Sequence, residues 1–334
     1  MADEEITVSD IHRLFVAGKV PSGRYLQSRA LLRNEDKWRQ WARLALLALG
    51  VGQLIAAVIF FFAFNWAEFP DIGKFAVVEI LMIVLAGTAV LVGFDRPLGQ
   101  AAGIAAFVSF GVLLAVVGQV YQTGADAWTL FAIWAGLALP FLFGLRSAIG
   151  WLAWLVIALT AVSLYAEQVL VADGRMVISM IPVFLALILT LALGAREFLA
   201  AKQFQEAGPF WIRLILLAAV LIFWTFCASG TIFDSDILRL GVVASVLIPV
   251  SGFAIVCAGT LKLALRTPYD MPAITMTFLA ISIFLSLVLG RTLYFVFGEN
   301  FSGLFMIGLA VMGVFGGAAV LLLRLSQAQR RQVR

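Results

Sequence analysis

The polar chemistry of this chain collects at six positions: Asn65, Glu79, Gln119, Tyr121, Gln122 and Asp126. Each lies in or beside a long apolar run. Glu79 is the one to weigh first, because a carboxylate inside hydrocarbon costs several kcal/mol and ionisable groups there are by default functional. It sits only about 6 Å from the start of its run at 1.5 Å per residue, a depth from which a side chain also reaches water or a neighbouring cation. The amides of Gln119 and Gln122 and the hydroxyl of Tyr121 supply the donors a carboxylate needs. If their helices pack as neighbours, these side chains converge on an outward-opening pocket for a small polar ligand, a cation or a lipid headgroup. The competing reading is a polar plug that holds three helices in register through amide hydrogen bonds. Glu79 with Asp126 is the nearest pair of carboxylates for acid–base work.

Other chemistry is limited by the inventory of side chains. The chain holds one histidine, His12, and two cysteines, Cys227 and Cys257. Histidine- or cysteine-rich metal sites cannot be assembled from that set, and Ser-His-Asp or Cys-His catalysis lacks a usable base. There is no glycine-rich phosphate loop. The expectation is therefore no metal and no cofactor, with the cysteines acting as small apolar packing residues. The span assignment below puts them about 25 Å apart at 1.5 Å per residue, too far for a disulfide.

The elements that position these residues follow from composition. Of the 334 residues, 63% are hydrophobic and only 13% charged. Soluble domains sit near roughly 45–50% and 25%, and a fold of this size cannot hide the excess apolar surface from water. A polytopic all-α membrane protein of about ten transmembrane helices is the fold class this dictates. The apolar runs are Leu44–Phe64, Phe75–Phe94, Ala101–Tyr121, Thr129–Leu145, Ala148–Tyr165, Met176–Gly194, Trp211–Cys227, Leu240–Thr260, Met271–Gly290 and Phe301–Leu323. Each is long enough to cross a hydrocarbon core of about 30 Å. The expected organisation is a cytoplasmic helical segment over 1–42, a membrane domain over 43–323 and a basic tail over 324–334, with no cleavable signal peptide in view.

Charge sets the orientation. With both termini cytoplasmic, only Lys74, Arg175, Arg239 and Arg291 of the 23 basic residues fall outside. The positive-inside rule favours that arrangement strongly. Trp41, Trp151 and Trp211 then lie at inner ends and Trp66 and Trp128 at outer ends, as an aromatic belt requires. The sequence pI near 9.3 reports attraction to anionic lipid headgroups at the cytoplasmic face, with no nucleic acid implied.

Ahead of the first run the chain reads as short helices. Thr7, Ser9 and Asp10 precede Ile11, Leu14 and Phe15, and Gly18 ends that run. Tyr25, Leu26 and Leu31 mark a second, and Trp38 and Trp41 lead into the membrane. Such a segment suits the inner membrane surface or a docking partner. From Leu14 to Gly18 and Tyr25, through Phe64-Asn65-Trp66 and Gly118-Gln119 to Tyr121-Gln122, Trp128 and Trp134, the order of features resembles a family. It is that of the bacterial membrane proteins catalogued as domain of unknown function 2157, with the resemblance specific over about 10–145. The resemblance implies a multi-pass protein of the bacterial inner membrane and implies no mechanism.

Three functions remain open on the sequence. A structural, sensory or assembly subunit, with a membrane-protein partner, fits the small water-facing mass and the Gly313-x-x-x-Gly317 spacing on the last span. A transporter or permease for a small polar solute, ion or lipid would use helices broken near mid-membrane, for which Pro140 and Pro249 are the interior candidates. An intramembrane enzyme is the weakest.

Overall fold

The computed structural model describes residues 38, 42, 45–46, 49–50, 53, 60, 66–122, 124–202, 210–233, 242–266, 270–298 and 300–332. Among them there is no strand, and nine helices are long and apolar enough to cross a membrane. They are α1 (Asp71–Val92), α2 (Pro97–Val120), α3 (Ala127–Leu145), α4 (Ala148–Tyr165), α5 (Ile181–Ala201), α6 (Phe210–Phe233), α7 (Val242–Ala264), α8 (Met271–Phe297) and α9 (Phe301–Gln332). The run expected first, Leu44–Phe64, and the short helices expected before it lie outside the described residues apart from scattered positions. The protein is thus an all-helical multi-pass membrane protein.

The chain divides into two units, Met1–Lys74 and Phe75–Arg334, with the boundary inside the first turn of α1. In the smaller unit, Lys74 donates its backbone N–H to the carbonyl of Pro70 at 3.1 Å and pairs with Asp71 at 3.2 Å.

In the larger unit the helix ends are written in local sequence. Prolines at the first turns of α2, α5 and α8 cost no hydrogen bond there, because the first N–H groups of a helix have no intrahelical partner. Ser147 caps α4 by accepting from the Gly150 N–H at 3.3 Å, and Asp270 caps α8 by accepting from the Ala273 N–H at 3.2 Å. The runs on either side of Arg146 are two helices. Arg146 takes a left-handed conformation (φ 47°, ψ 38°) and stops α3, while Ser147 starts α4 one residue later.

Helix α4 does not end at Tyr165. It continues through a π turn, Ala166–Val171, so the continuous helical segment runs over Ala148–Val171 and includes Glu167. Helix α5 starts later than its apolar run, because a 3-10 turn over Ile178–Met180 precedes Pro182, and it extends to Ala201, which places Arg196 and Glu197 inside it. Glu79 is therefore one of several carboxylates within helical segments. Pro140 and Pro249 both lie inside helices that remain continuous through them.

Packing falls into two main groups. In the first, Phe107 of α2, Ala138 of α3 and Ile157 of α4 form a small core. The second and larger core joins α5, α6, α7 and α8 through Leu189, Val220, Trp224, Phe253 and Ile274. Tryptophans seat directly on neighbouring backbones. The indole N–H of Trp134 donates to the carbonyl of Phe107 at 3.2 Å, and that of Trp154 to Ala135 at 2.9 Å. Two glycines make room for such rings: a Cβ at Gly111 would overlap Trp134, and one at Gly252 would overlap Trp224. Between the two groups, α4 packs loosely against α5 and α6, and apolar cavities of about 490–500 Å³ open there.

Candidate functional site

Spans joined by short connections alternate in direction, so the connections after α1, α3, α5 and α7 share one end of the bundle. Arg96, Arg146, Arg196, Lys202, Arg213, Lys262 and Arg266 lie at or near that end, with Asp95, Glu197 and Asp270 as its described acids. At the opposite end Glu79, Asp126, Glu167 and Asp173 accompany Arg175 and Arg291. The bundle therefore has a cationic and an acidic end, and the sequence-predicted polar group sits at the acidic one.

The structure places that group as follows. Glu79 is in the third turn of α1 and exposed, and among the described residues no hydrogen bond or ion pair reaches its carboxylate. Gln119 is exposed in the last turn of α2. Tyr121 follows as the cap, its N–H donating to the Val117 carbonyl at 3.0 Å. Its ring lies 6.1 Å from that of Phe75, one helical turn before Glu79 on the same face of α1. Gln122 is exposed and left-handed (φ 43°), which turns the chain away from α2. Asp126 occupies the cap position of α3 without a side-chain capping bond, and its carbonyl accepts from the Thr129 hydroxyl at 2.6 Å. Within the group, Tyr121 reaches α1 through its ring contact with Phe75, and Asn65 lies outside the described residues.

Beside this group the π turn contributes residues that sequence reasoning missed. Gln168 accepts from the Trp128 backbone N–H at 3.4 Å, and the Trp128 and Tyr165 rings meet edge to face at 5.0 Å. Glu167 and Ser163 line a cavity of about 450 Å³ with Ile178, Pro182 and Phe226. Apolarity falls at Tyr165, which is why the apolar run stops short of the helix end. The extra backbone residue of a π turn has no signature in residue type.

At the cationic end a second polar cluster ties three helices together. Arg213 of α6 donates to Glu197 of α5 at 3.0 Å and also pairs with Asp270, the cap of α8. Arg196 donates to the same Glu197 oxygen at 3.0 Å. The Arg196 and Asp270 side chains are 10% and 16% exposed and Glu197 48%, so the network is half-buried, with its shared carboxylate open to the surface. The signal available in the sequence was shared sidedness, since Arg196 and Arg213 are both counted among the inner cations. The pairing across 57 residues has no local signature.

The segment that carries Asn65, Glu79, Gln119, Tyr121 and Gln122 is also the segment that matches a known family. Residues 17–151 match the family described as predicted membrane protein, DUF2157. The match agrees with the resemblance drawn from Phe64-Asn65-Trp66 and Gly118 to Gln122, and its span runs from before the first expected membrane span, Leu44–Phe64, to the start of α4. No curated protein and no solved structure matches the chain. The DUF2157 segment thus holds the whole sequence-predicted polar group, whereas the Arg196–Glu197–Arg213–Asp270 network lies beyond it.

Proposed function

We propose that the protein is a structural or assembly subunit of the bacterial cytoplasmic membrane, with both termini cytoplasmic and its acidic end outside. The observation that carries this reading is the state of α9. No residue of its most apolar stretch is buried, and a Cβ at Gly308, Gly313, Gly316 or Gly317 would meet open space. Small residues at this spacing let a second helix approach to backbone contact; α9 packs along α8, but among the described residues nothing meets these glycines. An open face of this kind suits another transmembrane helix.

Two further observations favour a subunit over a carrier. Among the described residues the buried polar side chains are Ser109, Ser147, Thr225, Thr277 and Ser282, with no buried charge. Ser109 and Thr277 return their hydroxyls to their own helices, at 2.9 and 2.8 Å. Carriers that use discontinuous helices expose unwound backbone at mid-membrane, whereas α3 and α7 stay helical through Pro140 and Pro249. In this reading Glu79, Gln119, Tyr121, Gln122 and Asp126 form the outward surface through which the subunit meets a polar group of its assembly.

Cysteines introduced at Gly313 and Gly317, oxidised in native membranes, test the α9 contact. The subunit reading expects a cross-linked species that Gly316→Leu abolishes without changing the melting temperature. A purified protein that stays monomeric and uncross-linked, and that a small polar solute stabilises, would refute it in favour of transport.

A further inference from the structure

The loosely packed cleft between α4 and the α5–α6 pair has the chemistry of a lipid site. At the cationic end it is a cavity of about 500 Å³, within the size range of ligand pockets, whose lining is apolar except for Arg196. One wall is aromatic: the Phe143 and Trp151 rings meet edge to face at 5.2 Å, and Trp151 meets Trp154 in the same way at 5.9 Å. The Trp154 N–H is committed to Ala135, which fixes that wall on α3. The cavity continues toward mid-membrane, because a second one of about 490 Å³ shares Leu152, Leu155 and Leu216 with it and extends to Leu185. Near Leu185 it meets the cavity of about 450 Å³ beside Glu167, with which it shares Ser163, Leu185 and Phe223. From Arg196 to Leu185 is 11 residues of α5, or about 16 Å along the axis. One leaflet contributes roughly 15 Å of hydrocarbon. The stretch from Arg196 to Leu185 therefore accommodates one acyl chain, with a guanidinium at the depth of the headgroup.

Charge selects the class of headgroup. Glu197 is the nearest acid, and its one carboxylate is already shared between Arg196 and Arg213. Arg146 lies in the turn between the lining residues Phe143 and Ala148, and Lys202 lies one turn after the lining residue Leu199. Among the described residues neither has a carboxylate partner; the Lys202 ammonium rests 4.7 Å over the Phe198 ring. The mouth thus carries cationic excess, and a phosphodiester is the group that a guanidinium beside free cations recognises. We infer that this cleft binds an anionic phospholipid of the leaflet at the cationic end, with an acyl chain along α4 and its phosphate at Arg196.

The site is tested on the purified full chain by thermal unfolding in mild detergent with added phosphatidylglycerol, phosphatidylcholine or glycerol phosphate. Wild-type protein is expected to melt higher with phosphatidylglycerol than with phosphatidylcholine and to ignore glycerol phosphate. Arg196→Gln is expected to weaken the phosphatidylglycerol effect about fivefold, the share of one cation at a lipid surface. Ala192→Phe fills the cleft without touching a charge, and is expected to abolish stabilisation by the lipid while lipid-free melting stays at the wild-type value. Equal responses to the two lipids, a response to glycerol phosphate alone, or an undiminished response in Ala192→Phe would each overturn the inference. Should Arg196→Gln fail to fold, the Ala192→Phe comparison decides.

Discussion

Trp224 and Gly252 give the sharpest test of the packing. Trp224 is 2% exposed at the centre of the larger core, and its indole N–H donates to the Thr190 hydroxyl at 3.0 Å. That bond fixes the ring against α7, where a Cβ on Gly252 would overlap three of its carbons. Replacing Gly252 by Ala therefore forces either the indole off its hydrogen bond or α7 away from α6. Overpacking of this kind costs about 1–3 kcal/mol. At Gly259, seven residues later on the same helix, an added Cβ would meet nothing within 4 Å. Gly259→Ala therefore carries only the propensity gain of about 0.5–1 kcal/mol. The two substitutions make the same chemical change on the same helix, and the expected difference between them is about 1–3 kcal/mol after the propensity gain cancels. Equilibrium unfolding in mixed micelles, with near-ultraviolet circular dichroism reporting the buried tryptophan, measures both. Equal stabilities for the two variants would refute the claim that Gly252 is there to seat the indole.

The remaining predictions concern charge, thiols and topology. Arg213→Gln leaves Asp270 without its cation, while Glu197 keeps Arg196, and is expected to cost about 1–2 kcal/mol in the same unfolding assay. Arg213→Lys should recover only part of this, since one ammonium lacks the planar fork that reaches both carboxylates. Cys227 and Cys257 are free and buried, so maleimide labelling in micelles is expected to follow unfolding, and stoichiometric labelling of the folded protein would contradict the core around them. Cysteine tags at Gly174 and at Gln203 should be reached from opposite sides of the membrane, Gly174 from outside. Labelling of both from one side would overturn the alternation of α5.

Much of this architecture was legible because the bilayer constrains the sequence so strongly. Apolar length located the described spans, and the lone Arg146 between two apolar runs was enough to mark a turn, since a left-handed residue and a serine cap need only two positions. Helix ends were less legible. Hydropathy marks where a helix leaves hydrocarbon, and hydrogen bonding decides where it stops, so α5 runs on to Ala201 through Arg196 and Glu197. In the polar group, the Phe75–Tyr121 contact follows from the short connection between α1 and α2. The Gln168 contact to Trp128 depends on a π turn, and the Arg213 link to Asp270 on tertiary packing of α6 against α8. Neither leaves a pattern that periodicity can read.

The two-residue turn at Arg146 also bears on how the protein is made. Helices α3 and α4 are joined with no loop to spare, and their indoles and small residues already match each other, as in the Trp154 bond to Ala135. Such a pair leaves the ribosome as one apolar stretch whose only charge is a single guanidinium. The insertion machinery must therefore read Arg146 to decide that the stretch is a hairpin and not one overlong span. Losing that charge by Arg146→Leu is expected to reverse every later helix in a fraction of molecules, which tags at Gly174 would detect as a mixed population. An unchanged, uniform topology in Arg146→Leu would show that the left-handed turn and the mutual fit of the two helices fold the hairpin before charge is consulted.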